Sequence, residues 1–413
     1  MSLNDKNIVL GVTGGIAAYK APDLVRALMK AGARVRVVLT RAAEEFVTPM
    51  TLQTLSGQPV ARSLFDLTEE SEIGHIQLAD TADAIIVAPA TANVIAKLAM
   101  GMADDLLTTV ALATRAPILL CPSMNVHMYE HPTVQTNLAT LRDAGRAILE
   151  PDAGFLACGY EGRGRLPDPD VIVEEAEALV CAKDLHDVRV IVSAGPTWEA
   201  LDPVRHIANR SSGKMGYAVA RTARRRGAQV TLVSGPTALP SPRGVEVVPV
   251  VSARDMEQAV LQHAATADVV VMAAAVGDFR PADASRHKIK RGRSDMELRL
   301  VPNPDILAKL GGLKGSRLLI GFAAETRDLV ANARRKLQAK GVHLMIANDV
   351  TAEGAGFDVD TNIVTIIDRS GRVERLAKMS KEAVAGAIVD RIVELRGSRR
   401  ESAVIPRQLP RRR

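Results

Sequence analysis

At 413 residues, 47% apolar and 24% charged, the chain has the make-up of a globular protein with two or three cores. An aromatic content of 3% requires those cores to be aliphatic, and no apolar run is long enough to span a membrane. The net charge of +6 does not argue for nucleic acid. Residues 397–413 hold six arginines against Glu401 alone, and no basic stripe is interleaved with aromatics. No signal pattern opens the chain, and Cys121, Cys158 and Cys181 are odd in number and far apart, so a cytoplasmic protein with free thiols is expected.

A β-branched run from Asn7 to Val12 predicts the first buried strand. It opens into Gly11-Val-Thr13-Gly14-Gly15-Ile-Ala-Ala-Tyr-Lys20. A helix follows to Lys30, Gly32 stops it, and Val35 to Leu39 is the next strand. The glycines are not spaced Gly-x-Gly-x-x-Gly. The second strand ends in Thr40-Arg41 rather than in an acid able to hold a ribose hydroxyl. A hydroxyl and a cation there suit a phosphate better than a dinucleotide.

The third strand, Ala84 to Val87, runs into Ala88-Pro-Ala-Thr91-Ala-Asn93 and a helix through Met100. The fourth, Ile118 to Leu120, runs into Cys121-Pro-Ser-Met124-Asn125-Val-His-Met128. Thr91 and Asn93 fall where a ligand lies outside strand ends, and methionine is soft enough to line a flat ring. His75, beside Gly74, reads on its own as a half-buried histidine capping a helix, with a chemical role as the alternative. Four glycines within residues 154–164 predict a mobile flap that exposes Cys158, whereas Cys121 and Cys181 sit in apolar contexts that predict inert thiols.

Taken together, the Gly-x-Thr-Gly-Gly-Ile-Ala-Ala turn, the His75 segment, Pro-Ala-Thr-Ala-Asn, Pro-x-Met-Asn-x-x-Met and the Cys158 flap carry a resemblance. Residues 5–180 resemble the flavin-dependent cysteine decarboxylase family. The resemblance implies an FMN site built by Thr13, Gly14, Gly15, Thr40, Thr91, Asn93 and Met124 and shared between protomers of a trimer. It also implies His75 in the chemical step, Asn125 on the substrate carboxylate and Cys158 as proton donor. The chemistry suits these residue types. A cysteinyl carboxylate has no electron sink, but oxidation to a thioaldehyde lets the charge left by carbon dioxide delocalise onto sulfur.

A seam is expected near Lys183 to Asp187, giving a first domain over 1–186, a second over 187–396 and a disordered arginine-rich tail over 397–413. The stretch Ser193 to Gly216 joins strand Val188–Val192 to a helical pattern from Met215 to Arg226. It is too long and too polar for a plain connector, carrying Thr197, Asp202, Arg205, Asn209, Ser211, Ser212 and Lys214. Ser211 and Ser212 are its helix N-cap candidates. Ser211-Ser-Gly-Lys-Met is not a P-loop, because the upstream glycine is missing.

Strands Gln229–Val233, Val245–Val251, Asp268–Met272 and Leu318–Gly321 make a second doubly wound α/β unit. Its special residues again follow the strands, as Ala273, Ala274, Asp278 and Phe322. Lys288-Ile-Lys290-Arg291 reads as a solvated edge-strand face. In Pro302-Asn303-Pro304-Asp305-Ile306-Leu307, Pro304 reads as the first residue of a helix capped by Asn303. Lys336 and Lys340 lie one turn apart on one helix face.

Residues 187–395 resemble the phosphopantothenate–cysteine ligase family, and the two halves in this order resemble the bacterial bifunctional enzymes of coenzyme A biosynthesis. The fold class implied is α/β: two doubly wound, Rossmann-like domains, the first a flavodoxin-like flavoprotein and the second a ligase domain. The ligation implied joins 4′-phosphopantothenate and L-cysteine through an acyl-cytidylate made from CTP, releasing pyrophosphate and then CMP, with Mg2+ bridging the phosphates. Its product, 4′-phosphopantothenoylcysteine, would be decarboxylated to 4′-phosphopantetheine. By the resemblance, cytidine falls to Ala273, Ala274 and Asp278, with Phe322 nearby. Phosphates fall to Lys288, Lys290, Lys336, Lys340 and the start Pro304, Asp305, Ile306, Leu307, and Asn209 polarises the acyl oxygen. No metal ligand is assigned. The partners implied are these small molecules and further copies of the chain, as trimers of the first half and dimers of the second within a dodecamer, with no nucleic acid and no membrane. Two other readings of the motifs stand beside this one. One is a nicotinamide oxidoreductase, weakened by the missing acid after Leu39; the other is a flavin or nucleotide sensor that binds without reacting.

Overall fold

The computed structural model describes residues 3–64, 74–155, 159–291, 296–313, 315–325, 327–349, 356 and 359–404. The chain divides into two compact units, Met1–Cys181 and Ala182–Arg413. The expected seam at 183–187 therefore lies inside the second unit. Leu185 is buried in that unit's core, and its N–H donates to the Arg226 carbonyl at 3.0 Å.

In the first unit, β1 (Asn7–Val12), β2 (Arg34–Leu39), β3 (Ala84–Ala90), β4 (Ile118–Pro122) and β5 (Ala147–Ile148) form a parallel sheet in the order β2-β1-β3-β4-β5. The strands read as continuous apolar runs because both faces are covered. Along β1, Ile8, Leu10 and Val12 enter one core and Val9 the other. On either side of residues 156–158, which lie outside the described residues, β6 (Asp152–Phe155) and β7 (Glu161–Arg165) pair antiparallel within the stretch expected as a flap.

The second unit has β8 (Arg189–Ala194), a hairpin of β9 (Trp198–Ala200) and β10 (His206–Ala208), β11 (Gln229–Ser234), β12 (Glu246–Pro249) and β13 (Val269–Met272). Next come a second hairpin of β14 (Phe279–Pro281) and β15 (Leu300–Pro302), then β16 (Leu318–Glu325) and β17 (Leu344–Asp349). The chain ends with β18 (Thr361–Asn362), β19 (Val364–Asp368), β20 (Val373–Arg375) and β21 (Met379–Ser380). Among the described residues, eight strands form one sheet in the order β12-β11-β8-β13-β16-β17-β19-β20, all running one way except β19, which pairs antiparallel with both β17 and β20.

The last helix, Lys381–Val404, crosses the boundary expected at residue 397. Its inner residues Ala385, Ile388 and Ile392 share a core with Tyr217 and Val219 of the helix Lys214–Arg225. Once such a helix is nucleated by packing, each further residue adds a hydrogen bond, and Arg and Glu propagate it well. The remainder of the expected tail, 405–413, lies outside the described residues. Among the described residues no helix is long and apolar enough to cross a membrane.

Gly216 is where the Lys214–Arg225 helix meets β8. A Cβ there would lie 2.6 Å from Ala194 Cβ and 2.9 Å from the Ser193 carbonyl oxygen. Gly216→Ala is expected to destabilise the second unit by about 1–3 kcal/mol through overpacking, seen as a lower melting temperature by calorimetry. An unchanged melt would show that the helix can slide without cost.

Candidate active sites

At the carboxyl edge of the first sheet, the chain leaves β1 toward β2 on one side, and β3 and β4 lie on the other. This is the switch point at which such folds bind ligands. A cleft of about 780 Å³ opens there, lined by Gly14, Gly15, Thr40, Thr91, Asn93 and Met124 among the expected residues, with Arg41, Lys97 and Met128 beside them. Gly14 has no room for a side chain, since a Cβ would lie 2.7 Å from the Ala42 backbone. Thr13 is not a wall residue. It is fully buried, its Oγ1 donates to the Pro89 carbonyl at 2.7 Å, and it accepts the Thr91 N–H at 3.2 Å. It splices the ends of β1 and β3. Lys97 lies between Asp104 at 2.8 Å and Asp105 at 3.0 Å, and the Asp104 hydrogen bond leads in raising its pKa. The cleft fits a flavin mononucleotide: two methionines offer a soft apolar face, and the glycine turn with Thr40 and Arg41 offers small, polar and cationic groups for a phosphate.

Asn125 caps the short helix Val126–Glu130, its Oδ1 accepting the His127 N–H at 2.8 Å. The β6–β7 hairpin is tied beside it. Met124 N–H and Ser123 Oγ donate to the Gly164 carbonyl at 3.0 and 3.2 Å, and Tyr160 packs edge-on to His127 with ring centroids 5.0 Å apart. Cys158, between the two strands in sequence, lies outside the described residues. His75 is half-buried on the helix Gly74–Thr81 and lines a different pocket of about 250 Å³ with Arg36, Ser63 and Leu106. Within one chain it is not part of the flavin-sized cleft. Cys121 is fully buried, and burial pushes its thiol up, as an inert core cysteine requires; Cys181 is half-buried.

The second unit carries a cleft of about 670 Å³. Asn209, Ala273, Ala274, Asp278, Pro304, Asp305, Ile306, Leu307, Phe322, Lys336 and Lys340 all line it; Lys288 and Lys290 do not. Buried polar side chains hold its central loop. Ser193 Oγ accepts the Ala274 N–H at 3.1 Å, and Thr197 Oγ1 accepts the Gly277 N–H at 2.9 Å. Asn303 Nδ2 donates to the Gly277 carbonyl at 2.8 Å, and Asn209 Nδ2 to the Val276 carbonyl at 2.9 Å.

Asn303 is thus committed to the loop, and the helix cap is Asp305, whose Oδ1 accepts the Ala308 N–H at 3.0 Å. The helix begins at Ile306, two residues later than Pro304 suggested. Likewise neither Ser211 nor Ser212 caps the Lys214–Arg225 helix. Gly213 does, in the left-handed region at φ 77°, where a Cβ would lie 2.7 Å from Thr237 Cγ2. Lys336 pairs with Glu325 at 2.7 Å, Lys340 with Asp305 at 3.2 Å and Lys214 with Asp360 at 2.7 Å. Asn348, Asn362 and Lys381 also line the cleft. Asn348 is the last residue but one of β17, so a strand-end search reaches it; Asn362 and Lys381 carry no such sequence signal. Among the described residues, no three His, Cys, Asp or Glu side chains converge as a metal group.

Lys288 and Lys290 are exposed on an irregular strap rather than on an edge strand. Between them, Ile289 N–H donates to Asp202 Oδ2 at 3.1 Å, and its carbonyl accepts from Arg205 Nη2 at 2.5 Å. Burial alone would raise the Asp202 carboxyl, but hydrogen bonds from Val204, Arg205 and Ile289 hold it well below the usual carboxylate range.

Two family models divide the chain between them. The Flavoprotein model matches residues 1–181, and the DNA/pantothenate metabolism flavoprotein C-terminal domain model matches residues 185–395. Over 397 residues the chain is 49% identical to the coenzyme A biosynthesis bifunctional protein CoaBC of Bacillus subtilis (strain 168), covering 95% of this chain and 98% of the relative. The chain belongs to the coenzyme A biosynthesis bifunctional protein family. A second member, from Escherichia coli (strain K12), is 46% identical over 398 residues, covering 95% and 98% of the two chains. A solved structure of the C-terminal domain of a family member is 41% identical and covers 52% of this chain and all of its own, with a TM-score of 0.46.

The depressed Asp202 carboxyl sets a pH dependence. Its contribution is complete above the unfolded carboxylate value of about 3.9 and is lost as pH falls toward the lower folded value. Asp202→Asn is expected to lower the melting temperature of the second unit at neutral pH. The gap to wild type should narrow below about pH 4. A gap unchanged down to pH 3 would show that the clamp is not ionic.

Proposed function

We infer that the chain performs two consecutive steps of coenzyme A biosynthesis: its second unit joins 4′-phosphopantothenate to L-cysteine at the expense of CTP, and its first decarboxylates the resulting 4′-phosphopantothenoylcysteine to 4′-phosphopantetheine. One observation carries this reading: 49% identity along almost the whole of both chains to a bifunctional protein of that biosynthesis. The clefts at the two sheet edges support it, because most of the residues expected to hold the flavin and the nucleotide line them.

In the first unit, bound FMN supplies the two-electron chemistry that gives the departing carboxylate an electron sink. Gly14, Gly15, Thr40, Thr91, Asn93 and Met124 hold the cofactor against the sheet edge. Asn125 binds the substrate carboxylate, and Cys158 delivers a proton late in the reaction. His75 belongs to a different pocket of its own chain, which agrees with a site completed by a neighbouring protomer. Exposed apolar side chains such as Met50, Met100 and Phe155 favour trimers of this unit, with dimers of the ligase unit within a dodecamer.

In the second unit, the pinned loop from Ala273 to Asp278 receives cytidine, with Phe322 beside it. Lys336, Lys340, the Pro304–Leu307 segment and the strap lysines meet the phosphates, and Asn209 polarises the acyl oxygen. Mg2+ accompanying the nucleotide would supply neutralisation of the phosphate charge, beside the cations of Lys336 and Lys340. A cytoplasmic location follows from the reaction's soluble substrates.

The purified chain should be yellow, should release FMN rather than NAD on denaturation, and should release pyrophosphate from CTP only with 4′-phosphopantothenate present. A colourless chain that flavin cannot reconstitute overturns the first assignment, and substrate-independent or absent pyrophosphate release overturns the second. Cys158→Ala is expected to leave flavin reduction by the substrate intact, followed in absorbance, while 4′-phosphopantetheine formation stops; normal turnover removes Cys158 from the proton step. Lys288→Gln should slow pyrophosphate release by roughly a hundredfold, the order expected for loss of one charge-stabilising donor. Wild-type release would transfer the role to Lys290.

A further inference from the structure

The polar turn at residues 201–205 does not line the 670 Å³ cleft, yet its Asp202 carboxylate accepts five hydrogen bonds. Asp202 is buried and accepts the Val204 N–H at 2.8 Å, the Arg205 N–H at 2.9 Å, and Arg205 Nε and Nη2 at 3.0 and 2.6 Å. Those donors belong to its own turn and preorganise the carboxylate. The fifth, Ile289 N–H at 3.1 Å, comes from 87 residues away. With Arg205 Nη2 on the Ile289 carbonyl, both backbone groups of Ile289 are gripped as a neighbouring strand would grip them. A second rung runs from Ser285 N–H to the Leu201 carbonyl at 2.9 Å.

We propose that Asp202 is a positioning residue of the ligase reaction: it anchors the strap at Ile289 and thereby sets where Lys288 and Lys290 stand relative to Asn209. This rests on the reading above that Lys288 meets the nucleotide phosphates. Arg286, His287, Lys288 and Lys290 are all exposed, so little apolar burial holds the strap and its tethers dominate its placement. The same turn passes directly into β10, His206–Ala208, and then to Asn209, whose side chain is fixed to the cleft loop through the Val276 carbonyl. One fixed point therefore references both the acyl-polarising group and the phosphate-binding lysines. A lysine is a flexible point charge, so its backbone must be held if its ammonium is to arrive in register.

The test uses the full-length flavoprotein with CTP and 4′-phosphopantothenate. Asp202→Asn is expected to lower kcat for pyrophosphate release about ten- to a hundredfold, as a misplacement near 1 Å does, with KM for 4′-phosphopantothenate unchanged. Decarboxylation of supplied 4′-phosphopantothenoylcysteine by the same chain should stay at the wild-type rate, and hydrogen exchange at the Ile289 amide should accelerate. The double variant Asp202→Asn/Lys288→Gln should lose less than the product of the two single losses, because the two substitutions share the Lys288 contact while Lys290 keeps its own. Wild-type kcat despite fast exchange at Ile289, or fully additive losses, overturns the proposal. If Lys288→Gln alone retains wild-type kcat, the reading of Lys288 fails, and the inference fails with it. If Asp202→Asn does not fold, Ile289→Pro deletes the strap's N–H donor, together with the Ile289 side chain and with a tighter backbone at Lys288. It should reproduce the loss in kcat at an unchanged melting temperature, and an unchanged kcat would refute the anchor.

Discussion

Both units depend on one constraint: strands buried on both faces must be flanked by helices, so every connection that can carry polar chemistry is driven to the sheet edges. β3 is buried along its whole length, and β8 beyond its first residue. No charged group could be accommodated within them without a partner. The carboxyl ends of the strands are then the nearest places where backbone groups, hydroxyls and cations can gather around an anion. That two unrelated chemistries use the same edge in the two units follows from architecture, before any question of reaction.

The loops at those edges are held by polar side chains, Thr13, Ser193 and Thr197 of them buried, rather than by regular structure. Thr13 splices β1 to β3, Ser193 and Thr197 reach the loop after β13, and Asn303 and Asn209 secure the same loop from other segments. A net contribution near 1 kcal/mol per hydrogen bond is modest, but each bond removes one way for the cleft wall to move. The cations are arranged differently. Lys336 and Lys340 are partly exposed and already paired with Glu325 and Asp305. Such pairs add little stability, and they keep each ammonium near the cleft.

Much of the architecture was legible. Nine strands, from Asn7–Val12 to Leu318–Gly321, were legible to within a few residues because apolar β-branched runs leave little ambiguity, whereas β17, β19 and β20 of the second sheet were not named; the strand ends drew attention by their polar residues, and the resemblance gave them their roles. The helix starts were less legible. Asn303 and Ser211 are good caps by type, yet Asp305 and Gly213 occupy the caps, because Asn303 is claimed by the Gly277 carbonyl and a left-handed turn is needed beside Thr237. Local propensity ranks candidates; a distant partner selects among them.

By itself the sequence determined two doubly wound α/β units, their glycine turns and most of the strand-end residues, because these follow from hydrophobic period and backbone sterics acting over a few residues. Tertiary structure alone decided that Thr13 would be a splice rather than a wall, that His75 would face another pocket, that Asn362 and Lys381 would join the second cleft, and that Asp202 would hold Ile289. Each of those depends on groups far apart in the chain that meet only when the sheet closes, and no local pattern encodes which of them will meet.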